Sequence, residues 1–145
     1  MYVNVSCDDA FEVVAGIEVY PDFIDSCRAA RLMAEHDNEL HGELTMNFGG
    51  FEDSFPVRLR VDPAVSVNMQ FRTGYLRRLE ADWRFHASGP AGCEIELYAE
   101  CDFGSRAKEL LLGGAIDRTC LSLIEAVAAE AVRRGGARPR PTDGD

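Results

Sequence analysis

Three histidines are the side chains of this sequence that could act most directly as a general base or a metal ligand. His36, His41 and His86 are predicted to fall in turns or on the solvent side of strands, where a hydrated histidine is the simpler interpretation. The sequence contains no nucleophile elbow, no H-E-x-x-H pair and no G-x-G-x-x-G loop. No catalytic residue and no metal ligand is therefore predicted.

Five cysteines are the next candidates for chemistry, and their spacing argues against a metal site. Cys7, Cys27, Cys93, Cys101 and Cys120 form an odd set without a C-x-x-C pair. Zinc sites usually contain such close pairs, and disulfide-rich secreted domains usually have even counts. We therefore expect all five to be buried, reduced thiols.

Trp83 is the only tryptophan, and it lies on the apolar side of the alternating run Leu79 to Phe85. A buried indole N–H needs a hydrogen-bond acceptor. Two interpretations stay open: a packed core aromatic, or the wall of a cavity in which the N–H serves as a polar handle. The glutamates Glu94, Glu96 and Glu100 face the other way in their own strand and are interpreted as a solvated surface.

The charge distribution excludes one class of partner. The chain of 145 residues has a formal net charge of −10, and residues 1–132 hold 11 basic and 23 acidic side chains. Such a surface repels a phosphate backbone, so direct nucleic-acid binding is not expected. The apolar run Leu110 to Ile116 is too short to span a bilayer, and the first residues do not resemble a signal peptide. The expected location is the cytoplasm.

Alternation of apolar and polar residues predicts the elements that would position these side chains. A period of two gives each strand one apolar face, and short connections make neighbouring strands antiparallel. Ser6 is predicted to cap a first helix that runs to Gly16, and Pro21 suits the first turn of a second short helix. The strands of this sheet, about seven in number, are predicted at residues 2–5, 28–35, 39–48, 51–62, 65–73, 77–87 and 92–103.

A long helix from about Ser105 to Arg134 closes the chain, because apolar residues recur along it every three or four positions. One domain over residues 1–134 and a disordered tail over 135–145 follow from the length and from the Gly- and Pro-rich end. The fold class is α+β, with an apolar sheet face and one long helix to cover it.

Three segments together resemble a known family: Tyr20-Pro21-Asp22-Phe23-Ile24, the run Leu79 to Phe85, and the final helix. The chain resembles the coenzyme Q-binding START-type family, which sits in the polyketide cyclase/lipid transport superfamily and includes the bacterial ribosome-association toxin. The likeness covers roughly residues 2–134. One departure is Ile24-Asp25-Ser26-Cys27, where the family has a Leu-Pro-Trp-Cys-like stretch.

The resemblance implies a helix-grip fold of the START/Bet v 1 type, in which a curved antiparallel sheet wraps the C-terminal helix around an apolar cavity. Phe23, Tyr75 and Gly113 are mouth positions by family analogy. The pair Gly113-Gly114 indicates close approach to the sheet, a bend of the helix, or room for a ligand. The residues predicted to line the cavity are Phe23, Leu44, Met46, Phe48, Phe55, Val57, Met69, Phe71, Tyr75, Trp83, Phe85, Leu97, Leu112, Ile116 and Leu123.

The free-energy cost of an empty void limits how large an unfilled cavity can be. Ligand pockets start near ~300 Å³, and at about 24 cal/mol per Å³ an empty dry void of that size would cost roughly 7 kcal/mol. Because whole domains are stable by only about 5–15 kcal/mol, we expect the cavity to be filled, hydrated or partly collapsed.

The resulting hypothesis is a carrier or chaperone of a hydrophobic small molecule, an isoprenoid quinone or another lipid. No cofactor is required, although a ubiquinone or lipid could be bound. One alternative is a polyketide aromatase/cyclase, which the apolar lining disfavours because such catalysis needs a buried acid–base group. The other alternative is a ribosome-associated regulatory protein. Transient contact with a membrane or with the ribosome is a further expectation.

Overall fold

The computed structural model describes residues 1–48, 50–74 and 76–137, without the side chains of Phe48, Phe51 and Ala137. Seven antiparallel strands form one sheet in the order β1-β7-β6-β5-β4-β3-β2. In chain order the elements are β1 (Tyr2–Val3), α1 (Cys7–Ala15), a 3₁₀ helix (Ile17–Asp22), β2 (Cys27–His36), β3 (Glu39–Phe48), β4 (Phe51–Asp62), β5 (Ser66–Phe71), β6 (Arg78–Ser88), β7 (Gly92–Asp102) and α2 (Arg106–Ala137).

The alternation places apolar side chains on the inner face of the curved sheet, as the sequence predicts. Leu59, Val67 and Ile95 have at most 1 % of their surface exposed, and they pack in one cluster with Val13 and Val14 of α1. The registers β3–β4 and β6–β7 are continuous over the full strands, whereas β2 has irregularities between Cys27 and Ala29 and between Leu32 and Ala34. Burial of one face therefore specifies the register of the long strands.

Gly42 marks the closest approach of the 3₁₀ helix to the sheet. A Cβ atom built at this inner position would lie 2.7 Å from the carbonyl oxygen of Arg31 and would collide with the side chain of Ile17. Any larger residue would therefore have to displace the β2 backbone at Arg31 as well as the side chain of Ile17.

A serine caps the first turn of each of the two α-helices. The Ser6 hydroxyl accepts from the amide of Asp9 at 3.1 Å, and the Ser105 hydroxyl accepts from the amide of Lys108 at 3.2 Å. The second short helix begins at Ile17 rather than at Pro21, so Pro21 lies near its C-terminal end. The predicted start of that helix was wrong, because the helix begins directly after its N-cap residue Gly16, four residues before Pro21.

Burial along α2 is uneven. Its second half buries Val127, Ala128 and Ala131 against the rest of the domain. Residues 106–114 contain no buried side chain, and Leu110 and Leu111 are 77 % and 73 % exposed. The first turns of α2 are therefore attached to the sheet by few apolar contacts.

Glu130 is the ionic centre of the buried half of α2. Its carboxylate accepts hydrogen bonds from Arg133 at 2.6 and 2.7 Å and from Arg134 at 2.7 Å, although only 8 % of its side chain is exposed. These hydrogen bonds lower the pKa of Glu130 to about 2. The guanidinium of Arg134 also lies over the ring of Phe23, 5.7 Å from its centroid, so this cluster joins α2 to the segment after the 3₁₀ helix.

Cys7 and Cys93 form a disulfide, which corrects the expectation of five reduced thiols. Their Cα atoms lie 5.1 Å apart although 86 positions separate them in sequence, because the N-terminus of α1 packs on β7. Cys27, Cys101 and Cys120 are unbonded, and burial raises the pKa of each thiol, to about 11 for Cys27 and Cys101. These three thiols are protonated at neutral pH and poorly nucleophilic.

Within the described ranges, neither α-helix has a segment with the length and apolarity of a membrane span. The same part of the chain contains no group of three His, Cys, Asp or Glu side chains arranged to hold a metal ion. The side chains of His36, His41 and His86 are 88 %, 52 % and 56 % exposed, as expected for surface histidines.

Candidate ligand cavity

An apolar cavity lies between the inner face of the sheet and the middle of α2. We call it the helix–sheet cavity. Its volume is about 50 Å³. It is lined by Tyr20 and Ile24 from the segment after α1, by Leu44, Met46, Met69, Phe71, Leu79, Glu80, Ala81, Trp83 and Ala99 from the sheet, and by Ile116, Thr119, Cys120, Leu123 and Val127 from α2.

Few polar groups border this cavity, and Glu80 is the charged one among the lining residues. Its carboxylate accepts hydrogen bonds from Asn68 at 2.8 Å and from Arg78 at 2.6 Å. The Tyr20 hydroxyl donates to the carbonyl oxygen of Val14, and burial raises the pKa of Tyr20 well above its ordinary value. The Thr119 hydroxyl donates to the carbonyl oxygen of Ala115 at 2.8 Å. Burial also raises the pKa of the Cys120 thiol. The lining therefore disfavours a charged ligand, because burying an unpaired charge is costly.

Trp83 is the exception among these polar groups. Its side chain is 2 % exposed, and its indole nitrogen Nε1 has no hydrogen-bond partner in the part of the chain that the structure describes. An unpaired buried N–H is uncommon and costs about 1–3 kcal/mol. The Trp83 ring packs in the core and also forms part of the cavity wall.

The cavity is far smaller than an ordinary ligand pocket. It has about 50 Å³, against the ~300 Å³ at which ligand pockets start. At about 24 cal/mol per Å³, a void of 50 Å³ costs roughly 1.2 kcal/mol, which a marginally stable domain tolerates. The energetic argument allows a filled, a hydrated or a partly collapsed cavity, and this structure has the partly collapsed one.

Some of the residues predicted to line a cavity meet around this one, and others do not. Phe55, Val57 and Phe85 are buried but lie outside its lining. Leu97, Leu112 and Phe23 are half-buried, and the Phe23 ring meets the Tyr20 ring edge-on at 5.9 Å. Tyr75 and the side chain of Phe48 lie outside the described residues. The predicted residues that do line it are Leu44, Met46, Met69, Phe71, Trp83, Ile116 and Leu123.

The prediction omitted several residues that line the cavity, and the sequence pattern could have identified only some of them. Leu79, Ala81 and Ala99 share the inward parity of their strands, and Cys120 and Val127 lie on the apolar stripe of α2. Thr119 is polar, and Tyr20 with Ile24 comes from a segment without strand periodicity, so pattern alone does not place them.

The two glycines of α2 are not in close contact with the sheet. A Cβ atom at Gly113 would be 3.9 Å from the Phe103 ring, and one at Gly114 would be 3.2 Å from the Arg118 guanidinium. Neither neighbour belongs to a strand, so close approach to the sheet does not explain this pair.

A second concavity, the outer groove, lies on the opposite face of the sheet and has a volume of about 930 Å³. His41, Arg58, Gln70 and Glu80 are successive register partners across β3 to β6 and form its floor. Arg72, Arg77 and Arg78 also line it. Its cations are largely paired: Arg58 lies 3.4 Å from Glu39, Arg77 lies 3.8 Å from Asp102, and Arg78 lies 2.6 Å from Glu80.

The curved seven-stranded sheet, the long C-terminal helix and the cavity between them define a helix-grip protein of the START/Bet v 1 type. Residues 3–128 match the family model "Polyketide cyclase / dehydrase and lipid transport". The chain belongs to this family, which confirms the resemblance seen in the sequence.

The proteins similar to this chain are named for different functions. The chain is 26 % identical over 121 residues to the ribosome association toxin RatA of Pseudomonas aeruginosa, covering 83 % of this chain and 84 % of that protein. The fold is similar to the Zhui aromatase/cyclase of Streptomyces sp. R1128, with a TM-score of 0.84, 17 % identity and coverage of 92 % and 91 % of the two chains. It is also similar to a STAR-related lipid transfer protein of Xanthomonas axonopodis, with a TM-score of 0.73, 12 % identity and coverage of 90 % and 82 %.

Proposed function

We propose that this protein binds and carries an uncharged apolar small molecule in the helix–sheet cavity, and that it acts in the cytoplasm. Isoprenoid quinones and other lipids are the proposed ligand classes, and the role requires no cofactor. The observation that carries the proposal is a cavity lined mostly by apolar side chains, in a family whose description includes lipid transport. Dispersion and the hydrophobic effect would supply the binding energy.

Ligand entry requires the cavity to expand from its collapsed volume. The segment 106–114 of α2 has no buried side chain, so moving it away from the sheet breaks few apolar contacts. Ile116 and Thr119, which line the cavity, follow this segment directly in the same helix. We propose that the cavity opens by displacement of the first turns of α2.

The first test is to look for a ligand in protein purified without detergent. Native mass spectrometry and solvent extraction should detect a copurified lipid or quinone, or the protein should take up a short-chain ubiquinone or a phospholipid when these are added. Absence of any copurified molecule together with no uptake of either class contradicts the proposal.

The first turns of α2, where the cavity is proposed to open, have an exposed apolar surface that would suit a transient contact with a membrane. Leu110 and Leu111 are adjacent and mostly exposed, and Arg106 and Lys108 precede them in the first turn. Such a pairing of leucines with basic residues suits the interface of an anionic bilayer.

Substituting both leucines by serine should reduce cosedimentation with vesicles of phosphatidylglycerol and phosphatidylcholine by more than half. Val65→Ser is the matched control, since Val65 is 53 % exposed in the turn between β4 and β5. An equal loss in both variants, or no binding by the unmodified protein, contradicts the membrane contact.

Association with the ribosome is the second candidate function, and the name of the RatA relative favours it. The outer groove offers arginines that already have acidic partners, which suits exchange of ion pairs with a protein better than binding to an RNA backbone. Cosedimentation with ribosomes should then fall steeply between low and moderate salt, and Arg72→Glu should weaken it more than Arg60→Glu. Absence of any salt-sensitive association counts against this candidate.

The aromatase/cyclase alternative has less support from the described lining. Ring closure needs an acid–base group within hydrogen-bond reach of the substrate. The candidates at the cavity are Tyr20, Cys120 and Glu80. The Tyr20 hydroxyl is bonded to Val14, burial raises the pKa of Cys120, and the Glu80 carboxylate is bonded to Asn68 and Arg78. Cyclisation of a model poly-β-ketone by the purified protein would revive this alternative.

A further inference from the structure

The unpaired indole N–H of Trp83 indicates what kind of ligand the cavity prefers. Trp83 lies on the inner face of β6, where its register partners are Val67 on β5 and Leu97 on β7. Its inner-face neighbours along the strand are Ala81 and Phe85. None of these side chains can accept a hydrogen bond, so the sheet itself leaves Nε1 unsatisfied.

The helix opposite Trp83 offers little more. Ile116, Leu123 and Val127 are apolar, and Cys120 is at best a weak acceptor. The Thr119 hydroxyl uses its proton in the bond to Ala115, which leaves its oxygen able to accept but not to donate elsewhere. Although the Thr119 oxygen and the Glu80 carboxylate also belong to the lining, neither bonds to Trp83, and its Nε1 has no hydrogen-bond partner among the described residues.

We propose that Trp83 is the specificity-determining residue of the cavity, and that its indole N–H donates a hydrogen bond to a neutral acceptor oxygen of the ligand. The preferred ligand is then an apolar molecule that carries a carbonyl group, as a ketone, quinone or ester does, rather than a pure hydrocarbon. This inference rests on the proposed function, because it requires a ligand in the helix–sheet cavity. A neutral acceptor is specified because the lining has no cation to balance a buried anion.

The test uses a matched pair of probes. Geranylacetone is an isoprenoid ketone, and the hydrocarbon with =CH2 in place of its =O has almost the same size and shape. Because Trp83 is the only tryptophan, the protein has one indole ¹H–¹⁵N signal in its NMR spectrum. We expect geranylacetone to move this signal downfield, as formation of a hydrogen bond does, and the hydrocarbon to leave it close to its ligand-free position.

Affinity supplies the second readout. In the unmodified protein, competition with a neutral fluorescent probe should show that the ketone binds about five- to tenfold more tightly than the hydrocarbon. One net hydrogen bond supplies a ratio of dissociation constants of this size. Trp83→Phe keeps an aromatic ring but removes the N–H, and it should reduce this ratio to about one. Phe85→Leu is the control for altered packing, since Phe85 is buried on the same strand face without lining the cavity, and it should keep the ratio.

The outcomes separate this inference from the proposed function. If both probes bind with equal affinity and move the indole signal equally, the role of Trp83 is wrong and the carrier function stands. If the indole signal is already hydrogen-bonded without ligand and the ketone does not change it, an interior water satisfies Nε1 and the inference is overturned. If neither probe binds the unmodified protein, the proposed function itself fails. Should Trp83→Phe not fold, the NMR comparison on the unmodified protein still decides.

Discussion

Replacing Ala81 with valine fills the helix–sheet cavity from the sheet side. Ala81 lies on the inner face of β6 between Met69 of β5 and Ala99 of β7, and it lines the cavity. Valine adds two methyl groups at this position without a polar atom, and its β-branched side chain suits a strand. The substitution should therefore stabilise the ligand-free protein and reduce ligand uptake at the same time.

The magnitude follows from the volume of the void. At about 24 cal/mol per Å³, the cavity of about 50 Å³ costs roughly 1.2 kcal/mol, so filling most of it raises the free energy of unfolding by up to about 1 kcal/mol. For a domain of this size, 1 kcal/mol corresponds to about 3–4 °C in Tm. Ligand uptake should fall at least tenfold, since the added methyl groups occupy the space where a ligand would start to enter.

Urea unfolding at several temperatures and displacement of a neutral apolar probe measure the two effects on the same preparations. Ala29→Val is the matched control, because Ala29 is exposed on β2 opposite Thr45, and it should change neither quantity appreciably. A loss of more than about 1 kcal/mol in Ala81→Val would mean overpacking and would refute the volume argument. Unchanged uptake in a stabilised variant would place the ligand outside this cavity.

Two further predictions concern the disulfide and the buried glutamate. Reducing the Cys7–Cys93 disulfide, which spans 86 positions, should lower the free energy of unfolding by about 2–4 kcal/mol and be visible by calorimetry, whereas a Cys7→Ala, Cys93→Ala protein should not respond to reductant. The pKa of Glu130 is lowered to about 2 in the folded state, so its stabilising ion pairs are complete above about pH 4.5 and are lost as the pH falls toward 2. Glu130→Gln should therefore flatten the dependence of the urea midpoint on pH between 2 and 5, and an unchanged slope would contradict this assignment.

The strands were the most predictable part of the fold. The bounds of β3 and β4 are those predicted from alternation, because one face of each strand is buried and a shift of one residue would expose its whole apolar set. The ends of β5 differ from the prediction, since residues 65 and 72–73 have no register partner on β4 or on β6. Pattern therefore located the inner face of the sheet, including Leu44, Met69 and Trp83.

The helices were predictable in existence and less so in packing. The apolar stripe of α2 predicts burial of Leu112 and Ile116 alike, yet Leu112 is only half-buried and Leu110 and Leu111 are largely exposed. Periodicity reports which side chains share a helix face but not how far that face stands from the sheet. The distance is set by contacts with α1 and by the curvature of the whole sheet.

The sequence by itself determined the α+β class and the polarity of the sheet through local periodicity. Its short motifs indicated the family, and the helix-grip fold followed from that resemblance. Only the tertiary structure decided that Cys7 meets Cys93, that the cavity has collapsed to about 50 Å³ and that the Trp83 N–H has no partner among the described residues. Each of these depends on atoms from elements far apart in the chain, and their separation is the result of packing the entire core rather than of any segment within it.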